Sequence, residues 1–271
     1  MSLGDLARML GAGWRLILGA LLATLLLTGS YLAVTPKQHE ATLIVRLGQI
    51  GTAKGVQAIE EANDAIARMQ SLEFQSAVIE SLGWKSDERA KLLRSSLRIS
   101  NPASGQLNIR VRGFSTDEAR QAVNASLAVL VGIHDEQSKR ISALRNRDLS
   151  NVQSDIADSE AFLRDAQGLG QRGRQSTSDM AATTLLKVTK DEKSRLRDLH
   201  ARHADLKEAM RPELNKPTLP LEPAVVSDAP IYPNTRRVWV FAAFAGLALG
   251  LFLVTIRSIN RINQNSERPA Q

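Results

Sequence analysis

His200 and His203 stand three residues apart, a spacing that puts two imidazoles on one face of a helix, with Asp198 close by. A zinc site needs three or four such donors, and no cysteine or further His–carboxylate cluster completes a set. The residues favour histidines on a surface or in a packing seam. Carboxylates are the other candidate for chemistry. Asp191 and Glu192 fall among Arg195 and Arg197 at helical spacing, the pattern of a solvated, ion-paired face rather than an acid–base couple. There is no Walker A Gly-x4-Gly-Lys-Ser/Thr, no zinc motif and no nucleophile elbow. No catalytic residue, metal ligand set or cofactor emerges, and the chain reads as a non-enzyme.

A different chemistry is written in small residues and prolines. Gly246 and Gly250 are four apart inside an apolar run, a spacing that lets two helix backbones approach closely in lipid. Pro220, Pro223, Pro230 and Pro233 precede that run and forbid helix. They read either as a linker or as a stiff element setting the angle between a soluble domain and a span. Asn234, Arg236 and Arg237 lie between the last proline and the apolar run.

The elements that must position these residues are membrane spans. Leu16 to Val34 carries no charged side chain over 19 residues. At about 1.5 Å each, such a helix covers about 28 Å, close to the hydrocarbon thickness of a bilayer. Trp14 and Tyr31 sit near its ends, where amphipathic rings prefer the headgroup region. The run is longer than the apolar core of a signal peptide and shows no obvious small-residue cleavage site, so it reads as an uncleaved anchor. Val238 to Ile256 is a second uncharged run of 19. Arg8 and Arg15 precede the first span, and Arg257 and Arg261 come after the second. The positive-inside bias then places both termini in the cytoplasm. Arg236 and Arg237 oppose it, but they adjoin a long domain, and long domains translocate largely regardless of charge.

Composition agrees with helical layers. The 271 residues are 43% hydrophobic but only 4% aromatic, with no cysteine and a net charge of +7. Twenty-eight acidic residues are interleaved with 35 basic ones, and no Lys/Arg run has the length of a nucleic-acid patch, so no nucleic acid is expected as a partner.

Between the spans, Ala41 to Leu47 reads as a β-branched strand, and Gly48, Gly51 and Gly55 loosen the chain beyond it. Val56 to Gln70 has helical composition. A helix starts after Ser71 and ends at Gly83, and another covers Ser86 to Leu93. Leu97 and Ile99, then Leu107, Ile109 and Val111, alternate with polar residues around an Asn101-to-Gly105 turn. Ser115 and Glu118 form a capping box opening a helix to Gln167, about 50 residues and about 75 Å long, with Ile141, Leu144, Leu149, Val152, Ile156 and Leu163 recurring. Such a polar helix needs a partner. Three glycines from Gly168 to Gly173 are expected to break it. A second helix is expected over Asp179 to Met210, with Leu196, Leu199, His203 and Leu206 spaced as a coiled-coil seam.

The fold class expected is α+β, with two transmembrane helices flanking a periplasmic α+β base and a long antiparallel, coiled-coil-like helical extension. The divisions are a cytoplasmic tail (1–15), transmembrane helix (16–35), base (36–114), helical hairpin (115–210), Pro-rich return (211–237), transmembrane helix (238–256) and cytoplasmic tail (257–271).

This assembly resembles the polysaccharide co-polymerases, the Wzz-type chain-length determinants. Their pattern at the second span is Pro-x2-Pro-x4-Ser-Pro-Lys-x11-Gly-x3-Gly. Here Pro233 fits the Pro of Ser-Pro-Lys, Asn234 replaces the Lys and Tyr232 the Ser. Eleven residues, Thr235 to Ala245, lead to Gly246 and Gly250. Ala224 and Ser227 stand at the two earlier proline positions. The Glu40–Leu47 strand and the Asp5–Trp14 approach to the first span also look like the family. The match at motif level covers about 30 residues. The resemblance implies a form without a fused kinase domain, ring-like homo-oligomers in the bacterial inner membrane, and a non-enzymatic role in setting O-antigen or exopolysaccharide chain length. Its partners would be a Wzy-type polymerase and lipid-linked polysaccharide. The competing implication is a capsule or exopolysaccharide export subunit working with a transporter or a separate tyrosine kinase. The glycine pair's partner is open: the first span of the same chain, a neighbouring subunit or the polymerase.

Overall fold

The computed structural model describes residues 3–84, 88–172 and 179–266. Its elements in order are α1 (Leu3–Val34), β1 (His39–Arg46), β2 (Gln49–Thr52), β3 (Gly55–Ala58), α2 (Ala62–Gln70), α3 (Leu72–Ser81), α4 (Glu88–Ser96), β4 (Arg98–Ser100), β5 (Gln106–Gly113), α5 (Thr116–Arg172), α6 (Asp179–Ala209), β6 (Leu219–Pro220), β7 (Val225–Val226) and α7 (Thr235–Ser266). They form two compact units. One comprises Met1–Ala41, Arg112–Ala119 and Val226–Gln271; the other comprises Thr42–Val111 and Arg120–Val225.

The first unit is built on α1 and α7. Each contains a stretch long and apolar enough to cross a membrane, Gly13–Val34 and Thr235–Arg257. Leu22, Leu26, Leu27, Phe241, Phe244 and Phe252 are exposed along them, as side chains facing lipid would be. Glu40 pairs with Arg112 at 3.6 Å within the same unit.

Most of the sheet lies in the second unit, in the order β4-β5-β1-β6 with β7 also pairing to β1. Period-two alternation sends Leu43, Val45, Leu47, Leu107, Ile109 and Val111 inward, all of them buried. Helices supply the other half of this core at helical spacing: Ala65 and Met69 from α2 and Phe74 and Val78 from α3 four apart, and Val123 and Leu130 from α5 seven apart. Each large side chain fully buried here contributes about 1.5–3 kcal/mol. Ser71 caps α3 by accepting from the Phe74 N–H at 3.2 Å. Gly83 takes the left-handed conformation just past its end, at φ +69°.

Two expectations are corrected here. Val56 to Gln70 is not one helix: β2 and β3 form a hairpin in which Thr52 pairs with Gly55, and α2 begins only at Ala62. Gly55, at φ +131°, supplies the turn, and the Thr52 hydroxyl bonds the backbone of Lys54 and Gly55. The glycines therefore shape a hairpin instead of loosening the chain. Helix α5 also does not break at Gly168, since it continues to Arg172. Each glycine costs about 1 kcal/mol against alanine, which a long helix already nucleated absorbs. The connection at 173–178 lies outside the described residues.

The base of α6 is tied down by Arg145. Its guanidinium donates to Ala209 O at 3.1 Å and to Gly51 O at 2.7 Å. Asn215 closes the clasp, with its amide nitrogen on Ala209 O and its amide oxygen accepting from the Gly51 N–H. A cation at a helix C-terminus satisfies carbonyls that have no partner inside the helix. A Cβ at Gly51 would lie 2.5 Å from Ala209 O and 2.8 Å from Leu214 Cβ. Arg145→Met is therefore expected to cost about 1–3 kcal/mol by removing the donor from Gly51 O and leaving Ala209 O to Asn215 alone. A urea titration followed by circular dichroism would measure it, and an unchanged midpoint would refute the clasp.

Candidate functional site

The two apolar helices pack antiparallel along their length. Gly246 lies so close to α1 that a Cβ there would meet the Thr24 hydroxyl and stand 3.0 Å from Leu21 Cα. At Gly250 the same atom would lie 2.7 Å from Ile17 Cα. Gly13 on α1 answers with Val254, whose Cβ is 3.2 Å from a Cβ built on it, and Gly29 faces the Trp239 ring at 3.8 Å. Small residues on both helices thus bring backbone against backbone, where dispersion between close surfaces replaces the hydrophobic driving force that lipid lacks. The first span of the same chain, one of the three partners the sequence leaves open for the glycine pair, lies in contact with it.

Thr24 and Thr28 return their hydroxyls to carbonyls of their own helix, so they bring no unpaired polar group into the apolar phase. At one end, the Tyr31 and Tyr232 hydroxyls meet at 3.2 Å. Sharing its hydrogen bond with Tyr31 raises the Tyr232 phenol above its ordinary pKa. Backbone bonds from Gln38 to Tyr232 and from Ile231 to Gln38, at 2.9 and 2.8 Å, zip the chain leaving α1 to the chain approaching α7.

The Pro-rich return supplies that approach. The Tyr232–Pro233 bond is cis. Asn234 then caps α7: its side-chain oxygen accepts from the Arg237 N–H at 3.3 Å and its carbonyl from Val238. Arg236 and Arg237 sit in the first turn beyond the cap, and Arg236 is exposed. Pro230 lies just before this cap. Pro220 ends β6, paired with Val45, and Pro223 stands in the loop to β7. The return is not uniformly extended, because Pro212–Leu214 makes a 3-10 turn.

Helices α5 and α6 also run antiparallel. Arg145 reaches Ala209, and eight residues further along α5 Gln153 Nε2 lies 3.4 Å from His203 Nε2. Leu196, Leu199, His203 and Leu206 are half-buried while their immediate neighbours are exposed. Leu185, Thr189 and Glu192 extend the same 4-3-4-3 row toward the N-terminus of α6. On α5 the matching row is Ile141, Arg145, Leu149, Val152, Ile156, Ser159, Leu163 and Ala166. Leu144 does not join it and is 61% exposed. His200 is exposed and away from His203's row. Glu192 pairs with Arg195 at 3.7 Å. Among the described residues no group of His, Cys, Asp and Glu is placed to hold a metal.

Helix α5 opens with the expected cap, shifted at one contact. The Ser115 hydroxyl accepts from the Glu118 N–H at 3.1 Å, but the Glu118 carboxylate returns to Phe114 N–H, not to the cap residue itself.

One polar cluster escaped the sequence reading. His134, 1% exposed, sits on α5 with both ring nitrogens engaged. Nδ1 is 2.6 Å from the Thr218 hydroxyl and Nε2 is 3.1 Å from the Glu60 carboxylate. Glu60 also accepts from Arg68, and Thr218 accepts from the Gly48 N–H at 2.8 Å. With the Thr218 oxygen already accepting from Gly48, its proton is free to go to Nδ1, which leaves the Nε2 hydrogen for Glu60. Residues distant in sequence, Gly48, Glu60, Arg68, His134 and Thr218, are joined into one buried chain. No spacing rule finds such a set, because each member is an isolated polar residue in its own segment.

Among solved structures the chain is similar to one described as a full-length bacterial polysaccharide co-polymerase, at 14% identity and a TM-score of 0.45, covering 96% of this chain and 98% of that one. It is similar also to a fragment of WzzB, a polysaccharide co-polymerase from Salmonella Typhimurium, at 11% identity and a TM-score of 0.35, covering 73% of this chain and all of the fragment. A mutant of the Shigella flexneri lipopolysaccharide O-antigen chain-length regulator WzzBSF matches at 11% identity and a TM-score of 0.27, over 72% of this chain and 99% of that one. No protein-family model matches the sequence, and no curated protein matches it.

Proposed function

We propose that this chain is a non-enzymatic regulator of surface-polysaccharide chain length, acting as an oligomeric co-polymerase in a bacterial inner membrane beside a Wzy-type polymerase and its lipid-linked glycan. The observation that carries the reading is the Pro233–Gly246–Gly250 spacing, in a span whose two glycines touch the backbone of the first span. That spacing is the feature by which the sequence resembles the co-polymerases. The mechanism is geometric. A glycine-packed helix pair holds each subunit's membrane portion as one piece, and the half-buried seam holds its long helices as a rod. Leu144, Phe162 and Leu186 remain exposed on α5 and α6, and neighbouring subunits would cover them.

Deletion of the gene is expected to shift the modal length of surface glycan on a gel, with glycan still exported. An unchanged length distribution with export lost would replace this reading with that of an export subunit. A reporter inserted at Gly170 is expected to signal from the periplasm, and a cytoplasmic signal would invert the topology.

A further inference from the structure

The outward face of the sheet carries three arginines in the second unit. Alternation that buries Ile99, Ile109, Val45 and Leu47 turns Arg98, Arg110 and Arg46 to the other face, together with Ser100, Gln106 and Asn108. Arg98 and Arg110 are direct partners across the β4–β5 pair, and both are exposed. Side chains so placed have Cβ atoms about 4.5–5.5 Å apart, and like charges there are unfavourable. Neither arginine pairs with a carboxylate among the described residues; Arg98 bonds only its neighbour's carbonyl, Leu97 O. The acid on this face of β1, Glu40, pairs with Arg112 and with neither Arg98 nor Arg110. Beneath this face two buried polar atoms have no partner, Arg46 Nε and Asn108 Oδ1.

We infer that this sheet face binds an acidic sugar unit of the glycan. A planar guanidinium matches a carboxylate in a two-point hydrogen bond, and two guanidiniums at opposed positions would share one anionic group and lose their mutual repulsion. Ser100 follows Arg98 by two positions on the same strand face, about 7 Å away. Its hydroxyl serves hydroxyl groups, which an acidic sugar presents beside its carboxylate and a bare phosphate does not. The inference deepens the chain-length reading and rests on it, since that reading is what brings a glycan to this domain.

The test uses the full chain in nanodiscs of neutral lipid, titrated calorimetrically with oligogalacturonate, with neutral dextran, and with phosphatidylglycerol vesicles. Oligogalacturonate is expected to bind and dextran not. The double variant Arg98→Gln, Arg110→Gln is expected to bind at least tenfold more weakly without a lower melting temperature, because the substitution relieves a like-charge pair. Absence of oligogalacturonate binding, equal binding by the variant, or binding confined to the vesicles would overturn the site. So would a surface glycan without acidic sugars in the encoding cell. If gene deletion shifts glycan length while acid binding fails, this inference falls alone. An unshifted length with arginine-dependent binding intact would instead remove the chain-length reading.

Discussion

Gly246→Leu is expected to force the two membrane helices apart and abolish control of glycan length. A leucine there must place its Cβ against the Thr24 hydroxyl and within 3.0 Å of Leu21 Cα, which is backbone and cannot rotate away. Overpacking of this kind costs about 1–3 kcal/mol. In lipid no hydrophobic gain returns it, because the helices separate into an equally apolar medium. The absence of cysteine makes a clean readout available. Cysteines introduced as Gly13→Cys and Val254→Cys would bring their Cβ atoms to about disulfide separation, since the corresponding atoms stand 3.2 Å apart. Oxidation should cross-link them in the parent chain and fail to do so when Gly246→Leu is added. Cross-linking that persists at the same rate would show that the packing survives, and full length control in that variant would remove the glycine pair from the mechanism.

His134→Ala should be the most damaging single change in the second unit. It leaves the Glu60 carboxylate, 7% exposed, with Arg68 alone, and it leaves the Thr218 hydroxyl without its acceptor. Leaving a buried carboxylate and a buried hydroxyl each short of a partner costs about 1–3 kcal/mol apiece, and a cavity adds to it. For a chain of this size about 3 kcal/mol corresponds to roughly 6–12 °C in melting temperature. Thr218→Val is the milder companion, expected to cost about 1–2 kcal/mol by orphaning the buried Gly48 N–H. Thermal melts monitored by circular dichroism would separate the two. A His134→Ala protein melting within a degree of the parent would mean that the cluster contributes nothing to holding α5 against the return segment.

The contrast between these two sites explains what is legible in a sequence. The membrane pair was visible because its signals are local: an uncharged run of fixed length, a proline at its threshold and two glycines one turn apart. The coiled-coil row on α6 was visible for the same reason, as a period within one helix. The β2–β3 hairpin was not, because Val56 to Gln70 has residues at home in a helix, and a two-residue turn with Gly55 at positive φ outweighs them. Leu144 shows the limit of counting apolar residues. The seam on α5 passes through Arg145 instead, since the polar clasp at the base of α6 needs a guanidinium there.

Sequence alone determined the two spans, the alternating strands, the long amphipathic helices and the glycine spacing, because each depends on side chains within a few turns of one another. Tertiary structure alone decided which helix the glycines touch, which row of α5 is buried, that Glu60, His134 and Thr218 share one network, and that Arg98 faces Arg110. Those are pairings between distant segments, and their energies exist only once folding has closed the loops between them.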